Sequence, residues 1–231
     1  MTERDKILAR IREALTVRAP YPGPEHEGAP PAAPTSPPTA GARQWLPSVG
    51  AGLDARLALF CQNAAALKMD FHLARGRDGL AGLLVGMRDT EGWRRVGVHR
   101  GELTDFACGK LGLPLCRTDD GYAVSELESC DIGLTECDAL IAQTGSVLVT
   151  SRSAGGRALS VLPPHHVVLA RRDQLLGDLP EAFALLKQRY AANFPSFISV
   201  ITGPSRTGDI ERILVLGAHG PKKLTVVCLQ D

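Results

Sequence analysis

The hydrophobic pattern along the chain changes character three times. Residues 2–15 place Ile7, Leu8, Ile11, Ala14 and Leu15 at helical spacing among charged positions, which predicts an amphipathic helix. From Ala19 to Ser48 large aliphatic residues almost vanish, and the segment holds nine of the sixteen prolines. Proline fixes φ and removes a backbone donor, so this stretch is expected to be extended, a linker between the N-terminal helix (1–18) and a domain spanning 53–231. Within that domain the pattern alternates. Asp54–Lys68 reads as an amphipathic helix, Phe71–Leu73 as a short strand, Gly79–Met87 as a buried helix and Val96–Val98 as a strand, with a further helix near Leu103–Leu111. Compact apolar runs follow at Ile132–Leu134, Ser146–Thr150, Val167–Ala170, Phe197–Ile201 and Leu224–Leu229. Their Val/Ile content and two apolar faces suit central strands covered by helices. Pro180–Tyr190 reads as a helix with Glu181 in its first turn and Lys187 and Arg189 in its last, matching the macrodipole at both ends. Ile210–Leu216 fits helix or strand equally. Strands alternating with helices predict an α/β fold, an open parallel or mixed sheet flanked by helices.

Composition narrows the function classes. The 26 basic and 25 acidic residues nearly cancel, giving no electrostatic case for nucleic acid or an anionic membrane as partner. The densest cationic group, Arg94, Arg95 and Arg100, reads as a solvated face. No run of about 18 apolar residues predicts a membrane span, and the first residues lack the basic and apolar regions of a secretory signal, so a cytoplasmic location is expected. The six cysteines at 61, 108, 116, 130, 137 and 228 form no Cys-x-x-Cys pair. Clusters and structural zinc draw on such pairs, so these thiols are expected to be free and buried, with no iron–sulfur cluster or metal held by this chain.

Candidate chemistry concentrates in the second half. Thr202-Gly-Pro-Ser-Arg-Thr-Gly-Asp209 follows a predicted strand directly, placing Thr202, Gly203, Ser205, Arg206 and Thr207 at a strand end, where open α/β sheets bind ligands. Gly203 permits positive φ, Ser205 and Thr207 supply hydroxyls, and Arg206 presents a planar fork for a carboxylate or phosphate. The same residues also suit a turn with a helix cap. Thr144-Gly145-Ser146 opens the next apolar strand, with Glu136 and Asp138 as the nearest carboxylates. Glu136 is read as a helix-start acid, or as a general base or nucleophile if a second group positions it. His165 and His166 in Pro163-Pro-His-His166 point to opposite sides of extended backbone, cannot easily share a metal, and are read as surface or capping residues. His219-Gly-Pro221 is a tight turn with a possible acid–base group. No Gly-x-Gly-x-x-Gly, phosphate-binding loop or Gly-x-Ser-x-Gly elbow is present, and Ala154-Gly-Gly-Arg157 lacks a phosphate-loop pattern.

Taken in order, Asp138–Ser146, Leu162–His165, Thr202–Glu211 and Leu216–Pro221 resemble the LUD domain of the LutC/YkgG family of lactate-utilisation proteins, most strongly over 131–231. The short helix and proline-rich stretch resemble that family too. Gln143 departs from it, standing where relatives are expected to carry Glu. The resemblance implies a NagB/RpiA/CoA-transferase-like fold. It also implies a place beside two iron–sulfur partner proteins in the oxidation of L-lactate to pyruvate, the clusters lying in the partners. Under that reading the residues expected to bind a small carboxylate, lactate or pyruvate, are Thr144, Gly145, Thr202, Gly203, Ser205, Arg206, Thr207 and His219, with His219 or His165 near the hydroxyl. Two other readings stand beside it. One is a non-catalytic scaffold of the complex. The other is a stand-alone enzyme of the CoA-transferase-like fold acting on an acyl-CoA, folate or sugar phosphate, with Glu136 or Glu211 as its nucleophile.

Overall fold

A computed structural model describes residues 3–16, 47–208, 214–216 and 220–230. The chain divides into two units, Met1–Gln44 and Trp45–Asp231. In the first, helix α1 spans Glu3–Thr16, and the Thr16 hydroxyl donates to the Glu13 carbonyl at 2.6 Å. Of the predicted linker 19–48, all but residues 47 and 48 lies outside the described residues.

The second unit is α/β. Its helices are α2 (Leu53–Ala66), α3 (Gly76–Glu91), α4 (Glu102–Leu111), α5 (Val124–Glu128) and α6 (Leu179–Tyr190). Its main sheet comprises β1 (Asp70–Arg75), β2 (Val96–Val98), β3 (Leu115–Arg117), β4 (Ile132–Glu136), β7 (His165–Arg171) and β12 (Lys223–Gln230). The order is β1-β12-β7-β4-β2-β3, and every pairing is parallel. The period of two along each strand sorts the core. Val167, Leu169, Val227 and Leu229 pack with Leu80 and Leu84 of α3 and Leu103 and Leu111 of α4 on one face. Val168, Ala170, Val226 and Cys228 pack with Phe60 and Ala64 of α2 on the other. Each such leucine or valine contributes roughly 1.5–3 kcal/mol by leaving water.

Local signals place the helices as the pattern predicted. Asp178 caps α6, its carboxylate accepting the Glu181 amide at 2.9 Å, with Pro180 in the first turn and Lys187 and Arg189 in the last. Helices α3 and α4 end at Gly92 and Gly112, both left-handed (φ 70° and 63°).

The open sheet is not the whole of the β structure. A second sheet, β8-β5-β6-β9, joins β5 (Ala139–Ile141), β6 (Ser146–Thr150), β8 (Leu175–Leu176) and β9 (Ile198–Ile201). Strand β6 is buried on both faces as expected: Val147 and Val149 face the α2 core and Leu148 faces α6, but its partners β5 and β9 run antiparallel. Strand β9 is not central. It forms an edge, with Ile198 and Val200 exposed on one side. The short ribbon β10 (Arg206–Gly208) and β11 (Leu214–Leu216) is antiparallel, so the C-terminal half of the ambiguous 210–216 segment is strand. Five of the six cysteines are buried and Cys61 is partly so. Burial pushes the Cys130 thiol up to about 12 and those of Cys108 and Cys228 to about 11, so they stay protonated.

Candidate functional site

Two motifs more than fifty residues apart meet beside the C-terminal half of α2. The Asn63 amide donates to the carbonyls of Ala142 (2.8 Å) and Gln143 (3.0 Å), fixing the turn that leads into β6. Gly145 makes that turn at φ 62°, and a Cβ there would lie 2.7 Å from the Asn63 Cβ, so only glycine fits. Beyond β9, Gly203 turns at φ 84° against the Leu67 carbonyl, and the Arg206 guanidinium donates to that same carbonyl. The Ser205 amide donates to the Pro221 carbonyl at 2.9 Å, holding this turn against the start of β12.

A chain of hydroxyls links the two turns. Ser146 Oγ donates to Thr144 Oγ1 at 2.8 Å and lies 2.8 Å from Thr202 Oγ1. Ser146 thus bridges Thr144 and Thr202, one hydroxyl from each turn. The structure therefore brings Thr144, Gly145 and Thr202 together, with Gly203, Ser205 and the exposed Arg206 guanidinium on the adjoining turn. These are the groups a small carboxylate requires. The Thr207 side chain and His219 lie outside the described residues, as do Asp209 and Glu211.

The expectation that Thr202 follows a buried, central strand is corrected by the fold. Strand β9 is an exposed edge of the antiparallel-containing sheet, so the patch is not at the carboxyl ends of the parallel strands. Those ends carry a second set of residues. Strand β2 leads outward to β3 on one side, and the chain then crosses back to β4 on its other side, which makes the β2/β4 boundary a switch point. There Glu136 Oε1 accepts the amides of Leu103 (2.8 Å) and Thr104 (3.3 Å) at the start of α4. Glu136 is thus a helix-start acid, but for a helix that precedes it in the chain. The buried His99 accepts the Glu136 amide on Nε2 (3.1 Å) and carries its proton on Nδ1, 2.9 Å from the Arg100 carbonyl. Gly155 (φ 59°) lies over this histidine, where a Cβ would stand 2.2 Å from the His99 Cβ. A helix N-terminus that elsewhere receives a ligand's anion is here filled from within.

The histidine pair departs from expectation. His165 and His166 are neither surface nor capping residues but the first two residues of β7, 5% and 1% exposed. Burial pushes His165 down to about 4 and His166 to about 3, so both are neutral. Asp138, also buried, accepts Arg189 (2.8 Å) and the Tyr190 hydroxyl (2.6 Å), tying α6 to β5. The arginine cluster is solvated and paired: Arg95 with Glu126, and Arg100 with Asp120 at 2.8 Å.

Residues 115–229, which contain the patch, match the LUD domain family. Lactate utilization protein C of Bacillus licheniformis is 33% identical over 110 residues, 47% of this chain and 46% of that protein. The Bacillus subtilis protein of the same name is 31% identical over 110 residues, again 47% and 46%. The uncharacterized protein YkgG of Escherichia coli is 33% identical over 110 residues, 47% and 48%. The chain thus aligns with about half the length of these curated relatives. Among solved structures, a DUF162 family protein from Deinococcus radiodurans superposes with a TM-score of 0.62 at 23% identity, covering 78% of this chain and 100% of that one, a likeness of fold.

Proposed function

The chain belongs to the LutC/YkgG family of LUD-domain proteins, and on that premise we propose that it serves lactate utilisation. Its place is the small LUD-domain member of a cytoplasmic, iron–sulfur-dependent system that oxidises L-lactate to pyruvate. The observation that carries this reading is the junction of the Thr144 turn and the Thr202–Arg206 turn through the Ser146–Thr202 hydroxyl contact, inside the matched region. The exposed Arg206 guanidinium, which donates to the Leu67 carbonyl, presents its planar fork to a carboxylate, with the Thr144 hydroxyl as a further polar group. The chain's own part is to hold the three-carbon acid. The two electrons leaving lactate pass to clusters carried by two partner proteins.

A second reading is favoured by one feature. Glu136 ends a central parallel strand with its carboxylate oriented by two amides, as a nucleophile of a CoA-transferase-like enzyme would be. That reading requires turnover of an acyl-CoA by the purified chain alone. The deciding experiment is growth on L-lactate of a strain lacking this protein, complemented with wild type or Arg206→Ala at equal abundance. Growth restored by wild type and not by Arg206→Ala supports the patch as the working site. Restoration by both makes the chain a scaffold, and no growth defect in the deletion strain removes the lactate assignment.

A further inference from the structure

On the far side of the main sheet from its carboxyl ends, a groove of about 500 Å³ runs between α3 and the amino-terminal halves of β1 and β12. That size lies within the range of small-ligand sites. One wall is apolar, made by Leu83 and Met87. Beside them Gly82 and Gly86 sit one helical turn apart, and a Cβ on either would meet nothing within 4 Å. Neither has a positive φ. Glycine weakens a helix interior, and here neither packing nor backbone conformation requires it. The two glycines keep open a space that no side chain among the described residues fills.

The other end of the groove is polar and one-sided. Lys223 Nζ lies between Asp70 (3.2 Å) and Glu91 (2.7 Å), so the charged lining is two carboxylates against one ammonium. One hydroxyl on the lining has spent its proton within α3. Thr90 donates to the Gly86 carbonyl at 2.8 Å. Thr225 Oγ1 lies 2.8 Å from His165 Nε2, and His165 Nδ1 stands 3.1 Å from Glu91 Oε2. Burial works to raise the Glu91 carboxyl, but Lys223 and His165 outweigh it and hold it below its ordinary value. Beside Lys223 and His72, the Asp70 and Glu91 carboxylates and the Thr90 hydroxyl thus present oxygen acceptors, and the two carboxylates face one ammonium.

We propose that this groove binds a small primary ammonium ligand with a short aliphatic tail. The head, three donors and no acceptor, enters beside Lys223 between the Asp70 and Glu91 carboxylates, and the tail lies on Leu83 and Met87 over Gly82 and Gly86. An anion such as lactate meets two carboxylates there, so this site is separate in chemistry from the Thr144–Arg206 patch and does not depend on that reading.

The test is calorimetric titration of the full chain with isopentylammonium, leucine and 4-methylpentanoate, which share one tail and differ in head-group charge. The expected result is saturable binding of isopentylammonium, at a Kd of ~1 mM or tighter, weaker binding of leucine and none of 4-methylpentanoate. Gly86→Leu, which fills the groove with a better helix former, should abolish binding while the melting temperature holds or rises. Asp70→Asn should weaken it by about tenfold. Absence of saturation by isopentylammonium, equal binding of 4-methylpentanoate, tighter binding of leucine, or undiminished binding to folded Gly86→Leu would each overturn the assignment.

Discussion

His165 and His166 are neighbours in β7 that hydrogen-bond in opposite directions across the sheet. His165 Nε2 lies 2.8 Å from Thr225 Oγ1 of β12, and His166 Nε2 lies 2.9 Å from Thr135 Oγ1 of β4. Two adjacent imidazoles thus join the central strand to both of its neighbours, in addition to the backbone ladder.

Because both rings are buried neutral, the fold is expected to be acid-labile. Their folded values, about 4 and about 3, lie below the ordinary 6.5, so the unfolded chain binds more protons. Stability is then complete above about pH 6.5 and falls as pH drops towards 4, at up to roughly 1.4 kcal/mol per pH unit for each ring. Urea unfolding at pH 7.5, 6.0 and 5.0 measures this. A stability flat between pH 7 and pH 5 contradicts it, and a His165→Gln/His166→Gln variant should show the flat profile.

A second prediction concerns Gly133, which pairs beside Gly97 in the β4–β2 ladder. A Cβ at Gly133 would stand 2.1 Å from the Leu159 carbonyl, so the loop before β7 lies directly on that backbone. Gly133→Ala should cost about 1–3 kcal/mol by overpacking. Thermal or urea unfolding reads it, and a loss below a few tenths would show that the loop yields.

Glu136→Ala should destabilise by about 0.5–2 kcal/mol, since it strips the two first-turn amides of α4 of their acceptor. Glu136→Gln, which keeps an oxygen there, should lose less. Equal losses would mean that the charge rather than the hydrogen bonds matters.

At the patch, stability and binding should separate. Asn63→Ala leaves the Ala142 and Gln143 carbonyls without their donor and should cost about 1–3 kcal/mol. Arg206 is exposed, so Arg206→Ala should cost less than about 1 kcal/mol while abolishing oxamate binding. Oxamate affinity unchanged in Arg206→Ala would remove this arginine from the carboxylate site.

What the sequence made legible was local. The α6 cap and charges, the helix stops and the apolar runs of β6, β7 and β12 depend on residues within a few positions of one another. What it hid depends on distant partners. The two histidines extend β7 because threonines 31 and 60 residues away receive them. Glu136 serves amides 32 and 33 residues earlier. Asn63, in an unremarkable helix, organises the patch through carbonyls 79 and 80 residues on. The apolar run at 197–201 announced a strand, but its pairing with β6 at a sheet edge is a choice of register that no local pattern encodes.

The order of strands in the main sheet also has a consequence for synthesis. Strand β12 sits between β1 and β7, bonding both, and it is the last of the six to be translated. While residues 223–230 remain in the ribosomal tunnel, β1 and β7 flank a gap one strand wide and have no ladder to each other. Completion of the sheet therefore waits until residues 223–230 have left the ribosome, and until then the nascent chain presents an open, apolar slot for chaperones to guard.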